Sequence, residues 1–251
     1  MAIIHNFSKR FAAYTLLIIT GLIGQVSLMA LGLFLFHGSF DLVRLGLGET
    51  ASLGLNTCLC LLFFIQHSIM VRKSYRQWLS RFVRKEFHSA LYTIASGIVL
   101  LAIVLFWQKS AHTFAAADGM FYWLLRGCYF LSIAGFVWGN MALGSFDSFG
   151  LNPILSYLRG TQPEQLDFTV RGPYQWVRHP LYFFSLLMIW SCPDITMDRL
   201  LFNLLFTTWM MVGMLMEERY MIASFGEAYL NYRKKVPMLV PRYICPDRNK
   251  T

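Results

Sequence analysis

The sequence predicts an all-α protein: a polytopic membrane bundle of about six spans, the last two forming a helical hairpin, followed by a cytoplasmic C-terminal amphipathic helix. Hydrophobic residues make up 56% of the 251 residues and charged residues only 14%. Apolar runs long enough to cross a hydrocarbon core of ~30 Å recur along the chain. The basic residues lie in the segments that flank these runs, where they set topology. The net charge of +9 therefore indicates a lipid bilayer as partner and not a nucleic acid.

Each predicted span is an apolar run bounded by polar or turn-forming residues, and the runs cover residues 11–36, 51–70, 89–107, 121–143, 177–192 and 200–216. The first run is too long for the apolar part of a signal peptide, so we interpret it as a span. The fifth run is short, at about 16 residues or about 24 Å of helix, and does not reach across a ~30 Å core. We expect these spans to belong to one membrane domain over residues 1–251.

The distribution of basic residues predicts the orientation of the spans. With the amino terminus in the cytoplasm, all but four of the 22 basic residues lie on the inner side; the exceptions are Arg44, Lys109, Arg126 and Arg199. This asymmetry is typical of cytoplasmic loops. The sequence therefore predicts that both termini are cytoplasmic.

A cluster of ionisable side chains lies at the inner end of the predicted hairpin. Arg178, His179 and Pro180 open the fifth span, and Glu217 and Glu218 close the sixth. Antiparallel packing brings the two ends together, and charged groups near lipid are candidates for function. Because successive helical residues point about 100° apart, we expect one glutamate to face the cluster and choose Glu217 first.

Two further polar residues lie at the same predicted membrane face. His67 is near the inner end of the second span, where a structural hydrogen bond and a catalytic role are alternatives. Asp147 follows the fourth span, where it caps a helix or contacts substrate. Residues 223–235 have the pattern of an amphipathic helix that lies along the interface and covers the hairpin. The five cysteines form no C-x-x-C pair, so we expect neither a disulfide framework nor a metal site.

The motifs of the second half of the chain resemble those of a known family. R-G-P-Y-x-x-V-R-H-P-L-Y, a hairpin, E-E-R, F-G-x-x-Y-x-x-Y and V-P-x-x-x-P are similar to the isoprenylcysteine carboxyl methyltransferase superfamily. Upstream, Q-H-S-I-M-V-R, S-F-D-S-F-G-L and Y-L-R-G resemble its bacterial methanethiol S-methyltransferase branch and a related denitrification-associated membrane family. The resemblance covers residues 55–242, and it implies a bacterial inner-membrane protein.

The resemblance implies S-adenosylmethionine as cofactor, held by about residues 171–242. The positions that match the family's cofactor-binding motifs are Tyr174, Arg178, His179, Pro180, Tyr182, Glu217, Glu218, Tyr229 and Tyr232. The chemistry agrees, because Arg178 and a helix amino terminus suit the cofactor carboxylate and a glutamate suits its ammonium. The chain departs from the family at Phe184, where a glycine is common.

A methyl transfer to a small thiol such as methanethiol is the leading functional hypothesis. Because the thiolate is the nucleophile, a base is needed, and the candidate catalytic residues are His67, Arg178 and Asp147. One alternative is methylation of a lipid, an amine or a prenylated acceptor with the same cofactor. The other is a non-catalytic membrane protein of the same fold.

Overall fold

The computed structural model describes residues 2–144, 147, 149–161 and 169–241, with side chains from Arg10 onwards. Within this part, five helices are long and apolar enough to cross a membrane, and a sixth apolar helix is shorter. The protein is therefore a polytopic membrane helical bundle, as predicted. Ser145, Phe146 and Ser148 of the S-F-D-S-F-G-L motif lie outside the described residues, as do Arg242 and Cys245.

The regular elements follow one another as α1 Ala2–His37, α2 Glu49–Val71, α3 Lys73–Leu79, α4 His88–Phe106, β1 Thr113–Ala116, α5 Gly119–Ala142, α6 Asn152–Arg159, α7 Pro180–Trp190, β2 Asp194–Thr196 and α8 Met197–Lys235. Two turns of 3₁₀ helix, Lys85–Phe87 and Gly172–Gln175, precede α4 and α7. The strands pair antiparallel, with Thr113 opposite Thr196 and Ala116 opposite Asp194. The sequence did not predict this ribbon, whose second strand lies between α7 and α8.

The chain divides into two compact units, and α8 begins in the first and continues into the second. Residues 1–117, 147–166 and 192–206 form the first unit, whereas residues 118–146, 167–191 and 207–251 form the second. The predicted cofactor-binding part, 171–242, falls largely in the second unit. The prediction of a single domain stays a prediction.

In the first unit, α1 packs on α4, and α4 packs on α2. Gly97 allows the close approach of α1, because a Cβ at this position would lie 2.6 Å from Ile23. At one end of the unit, Asp198 accepts hydrogen bonds from the Trp107 indole at 2.8 Å and from the Ser110 backbone at 2.9 Å. Arg199 donates to two terminal carbonyls of α1, so the start of α8 is anchored by buried charge-assisted bonds.

In the second unit, α7 and α8 form the predicted hairpin, with a side-chain contact at each end. Trp190 donates to Thr207 at 3.0 Å at one end, and Arg178 binds Glu218 at the other. The short fifth span is realised as α7, whose 11 residues extend about 16 Å. α7 begins at Pro180, because proline suits the first helical position, where its missing N–H has no partner to lose.

The packing of α7 on α5 explains the departure at Phe184. Gly135 and Gly139, one turn apart on α5, leave room for Phe184 and Leu181 of α7. A Cβ on Gly135 would lie 2.2–2.4 Å from three atoms of the Phe184 ring. Small residues at this spacing let membrane helices approach closely. The Phe184 ring thus packs into a notch of α5.

Gly135→Ala is expected to destabilise the second unit by about 1–3 kcal/mol, because the added methyl group overpacks the notch. The loss should largely vanish in a Phe184→Ala background, where the ring is absent. A double-mutant cycle of thermal unfolding measures this coupling. Gly127→Ala on the same helix is the matched control, since no heavy atom of the described residues lies within 4 Å of its Cβ position. Equal losses in both backgrounds would contradict the packing.

The amphipathic C-terminal segment is a helix of its own, as predicted, because a non-helical residue at Gly226 separates it from the membrane-spanning part of α8. The change in direction occurs at Gly226, whose φ of 52° and ψ of −126° are accessible to glycine. Beyond it, Tyr229, Tyr232 and Val236 are buried in one apolar cluster. The aromatic face predicted for residues 223–235 is therefore packed within its own unit.

Candidate active site

Glu218 is the centre of a buried polar network in the second unit. Its carboxylate accepts hydrogen bonds from Arg178 Nε at 2.8 Å and from Arg178 Nη2 at 3.1 Å. The two side chains are each 7% exposed. A two-point contact of this type is among the strongest protein hydrogen-bond arrangements. Because the pair is buried, removal of one partner would leave the other as a desolvated charge and lower the stability of the protein.

The same guanidinium holds the end of α8 and the residues after it. Arg178 Nη1 donates to the carbonyl oxygens of Arg233 at 3.2 Å and Val236 at 2.6 Å. The backbone N–H groups of Arg178 and His179 donate to the carbonyls of Pro237 and Met238 at 2.9 and 3.1 Å. Arg178 therefore joins the entrance of α7, the middle of α8 and residues 233–238 in one assembly.

His179 and Tyr229 complete the shell of Glu218. His179 Nε2 lies 2.8 Å from Oε1, and the Tyr229 hydroxyl donates to the same oxygen at 2.7 Å. Because an ionised carboxylate only accepts, the imidazole carries hydrogen on Nε2. Its Nδ1 is then directed away from Glu218. The Tyr182 ring lies edge-on to this imidazole, with the ring centroids 5.6 Å apart.

Glu218, and not Glu217, is the glutamate that pairs with Arg178, whereas a role of Glu217 toward a ligand stays a prediction. Glu217 is 45% exposed, and its carboxylate lies 3.9 Å from His179 Nδ1. The rotation of α8 decides which glutamate points inward, and α8 faces α7 at Gly213, where a Cβ would lie 3.5 Å from the Tyr182 hydroxyl. One glutamate is thus buried in an ion pair, while its neighbour presents an accessible carboxylate.

Tyr174 and Tyr232 link the 3₁₀ turn before α7 to the end of α8. The Tyr232 hydroxyl donates to the Tyr174 carbonyl at 2.5 Å. Burial raises the pKa of the Tyr174 hydroxyl above its ordinary value, and the negative charge of Glu217 raises it further. Tyr174 is therefore a neutral hydroxyl in the electrostatic field of the accessible glutamate. Seven of the predicted positions, namely Tyr174, Arg178, His179, Glu217, Glu218, Tyr229 and Tyr232, lie together in this network.

The other two predicted catalytic positions belong to the first unit. His67 on α2 lies with both ring nitrogens 2.9 Å from the Tyr92 hydroxyl of α4. Asp147 Oδ2 accepts the backbone N–H of Asn152 at 2.6 Å. Because Asn152 opens α6, this contact caps a helix, which is one of the two alternatives considered for Asp147. Among the described residues, no group of three or more His, Cys, Asp or Glu side chains could hold a metal ion.

The sequence did not predict the backbone carbonyls that accept hydrogen bonds from Arg178 and His179. The carbonyls of Val236, Pro237 and Met238 accept bonds from the entrance of α7, and the V-P-x-x-x-P motif gave only an extended segment as signal. Arg233, whose Nε lies 3.6 Å from Glu218 Oε2, carried no signal beyond being one of the basic residues on the inner side. Tyr92 carried no signal, because the pairing of α2 with α4 is not visible in the sequence.

Comparison with known proteins finds several methanethiol S-methyltransferases and the more distant nurim as relatives of this chain. The chain is 35% identical over 227 residues to methanethiol S-methyltransferase 2 of Bradyrhizobium diazoefficiens, covering 88% of this chain and 86% of the relative. It is 32% identical over 185 residues to methanethiol S-methyltransferase of Crocosphaera subtropica, covering 72% and 71% of the two chains. Nurim of Rattus norvegicus is 26% identical over 64% of each chain. No family model and no solved structure matches.

Proposed function

Since the chain belongs to the methanethiol S-methyltransferase family, we propose that it transfers a methyl group from S-adenosylmethionine to a small thiol such as methanethiol. The product is then a thioether, dimethyl sulfide in the case of methanethiol. The proposal rests on the similarity over 88% of the chain. It also rests on the accessible carboxylate of Glu217 beside a pre-organised polar network.

The charged, hydrogen-bonding and aromatic groups of the second unit fit the chemical groups of this cofactor. The accessible Glu217 carboxylate suits its ammonium, and the amino terminus of α7 suits its carboxylate. The half-buried ring of Tyr182 offers a face to its adenine or sulfonium. When bound, the cofactor supplies an electrophilic methyl group on sulfur. Tyr174, Pro180, Tyr229 and Tyr232 form the rest of the proposed binding region.

Arg178 and Glu218 act in this proposal as positioning residues. Arg178 is 9% exposed, and its guanidinium donates to protein acceptors from Nε, Nη1 and Nη2. It therefore has little capacity left for a ligand carboxylate. Its work is to hold α7, α8 and residues 233–238 together, so that Glu217 and His179 keep their relative geometry. We propose this in place of direct catalysis by Arg178.

The acceptor side of the reaction needs a base, because a thiol attacks as its thiolate. We propose His67 for this role, since it is an imidazole within a membrane-spanning helix. We assign Asp147 to capping of α6, on the strength of its bond to Asn152. We further propose that the protein lies in a bacterial inner membrane with both termini in the cytoplasm.

Labelled methyl groups test the proposed function directly. Membranes that contain the protein receive methyl-labelled S-adenosylmethionine and methanethiol, and the label in volatile dimethyl sulfide is measured. We expect much more label in dimethyl sulfide than membranes from a vector control produce. The Glu227→Gln variant, which loses an exposed carboxylate on α8, should remain active.

Label that enters only the lipid extract would instead favour a lipid or prenylated acceptor. Absence of product together with absence of S-adenosylhomocysteine binding would favour a non-catalytic protein of this fold. Absence of product together with binding of S-adenosylhomocysteine would support the cofactor assignment and refute the small thiol as methyl acceptor.

A further inference from the structure

The connection between α2 and α4 in the first unit carries a dense group of basic side chains. No acidic residue occurs between Glu49 and Glu86. The connection follows one helix that is long and apolar enough to cross a membrane and leads into another, so it lies where lipid headgroups begin. Six exposed basic residues within this connection form what we call the basic patch, namely Arg72, Lys73, Arg76, Arg81, Arg84 and Lys85.

Three aromatic rings lie in a row beside the basic patch. The ring centroids of Tyr75 and Trp78 are 5.7 Å apart, and those of Trp78 and Phe82 are 5.4 Å apart. Trp78 is 50% exposed and Phe82 is 72% exposed. Rings exposed to this extent are costly in water, whereas at the level of lipid headgroups aromatic side chains are favoured. The row of rings therefore indicates a lipid surface against this connection.

Contacts within the first unit hold the connection in place. Leu79 of α3 is buried, at 9% exposed. His88 Nε2 lies 3.0 Å from the carbonyl oxygen of Val83, and the Arg84 guanidinium lies 4.6 Å from the ring centroid of Tyr157 on α6. Because these contacts fix the backbone on both sides of Phe82, the basic patch and the rings keep a defined arrangement.

We propose that the basic patch, together with the rings of Tyr75, Trp78 and Phe82, is a binding surface for anionic phospholipids. The cations neutralise headgroup phosphates, and the rings enter the layer between the headgroups and the acyl chains. Four to eight basic residues directly after a membrane helix are typical of binding to anionic lipids. A loop that only sets topology needs its cations alone, so the exposed rings carry the inference further. It does not depend on the methyl transfer.

Lipid titration of the full-length protein in a non-ionic detergent tests the inference. Phosphatidylglycerol and phosphatidylcholine with the same acyl chains are added in parallel, and the melting temperature is followed against lipid concentration. At a tenfold excess over its dissociation constant, phosphatidylglycerol should raise the melting temperature by about 3–6 °C. Phosphatidylcholine should raise it less. Native mass spectrometry, which counts the lipid molecules retained per chain, reports binding independently of stability.

Exposed positions of the connection provide the variants. Each cation near an anionic surface contributes about fivefold in affinity, so Arg72→Gln combined with Arg81→Gln should weaken phosphatidylglycerol binding about 30-fold. Phe82→Ser, which removes the most exposed ring, should also weaken it. Lys234→Gln combined with Lys235→Gln is the matched control, because it removes two exposed cations from the C-terminal helix and should keep the wild-type affinity.

Four results would count against this lipid surface. Equal rises in melting temperature with the two lipids would overturn it, because the headgroup charge would then have no effect. Equal weakening in the two double variants would overturn it as well, since net charge and not the basic patch would decide binding. A rise of the same size with inorganic phosphate alone would assign the patch to free anions and not to a membrane. Wild-type affinity in Phe82→Ser would overturn the role given to the rings.

Discussion

Glu218→Gln is expected to destabilise the protein by about 3–5 kcal/mol, the usual cost of removing one partner of a buried ion pair. The substitution leaves the Arg178 guanidinium, 7% exposed, without an opposing charge. It also weakens the bonds that Glu218 receives from His179 and Tyr229. For a chain of this length, a loss of this size corresponds to a fall of about 6–20 °C in melting temperature. Thermal unfolding in detergent or nanodiscs measures it.

Glu217→Gln provides the matched comparison, because it makes the same chemical change at the adjacent position. Its carboxylate is 45% exposed and lies 3.9 Å from His179 Nδ1, so stability should change by less than about 1 kcal/mol. Affinity for S-adenosylhomocysteine should fall at least about tenfold, because a charge-assisted contact to the ligand ammonium is lost. Similar effects of the two substitutions on stability and on affinity would contradict the separate roles assigned to the two glutamates.

His67→Ala is expected to lower kcat for methanethiol by about 100-fold or more while cofactor affinity stays within about twofold. General-base catalysis contributes about 10²–10⁴-fold, and a base acts in the transition state and not in cofactor binding. Turnover of volatile thioether and titration with S-adenosylhomocysteine measure the two quantities. His112→Ala, at an exposed position, is the control for loss of an imidazole.

The pH dependence of this variant has a definite sign. Below the pKa of the thiol, each pH unit increases the thiolate fraction about tenfold, so the variant should regain activity as pH rises. The wild-type protein, which supplies its own base, should depend less steeply on pH. Loss of cofactor binding in His67→Ala, or a deficit that is constant across pH, would contradict the acceptor-side role.

The membrane fold was predictable because each span requires a long apolar run, which is visible in the sequence. Apolar runs and flanking cations indicated the spans, and the charges at the ends of the last two runs indicated the hairpin register that brings Arg178 to Glu218. The ribbon between β1 and β2 was not predictable, because its strands have four and three residues and no distinctive alternation. The separate C-terminal helix was predictable, because its aromatic residues recur at helical spacing, and the glycine at position 226 breaks the helix before it.

The candidate site was predictable in its residue types but not in its geometry. Sequence alone brought Glu217 and Glu218 to the cluster, yet a rotation of about 100° separates a buried partner of Arg178 from an accessible carboxylate. That rotation depends on packing between α7 and α8, which no local pattern encodes. Backbone acceptors such as the Val236 carbonyl have no side-chain signature at all. Phe184 departs from the glycine common in the family, and only the structure shows that its ring packs against Gly135.

Calorimetric titration of the full-length wild-type protein in nanodiscs with S-adenosylhomocysteine tests the central claim most directly. This ligand keeps the carboxylate, the ammonium and the adenine of the methyl donor. The account predicts saturable binding at one site per chain, weakened at least about tenfold in Glu217→Gln and unchanged in Glu227→Gln. Absence of binding to protein that unfolds at its normal melting temperature would contradict the account.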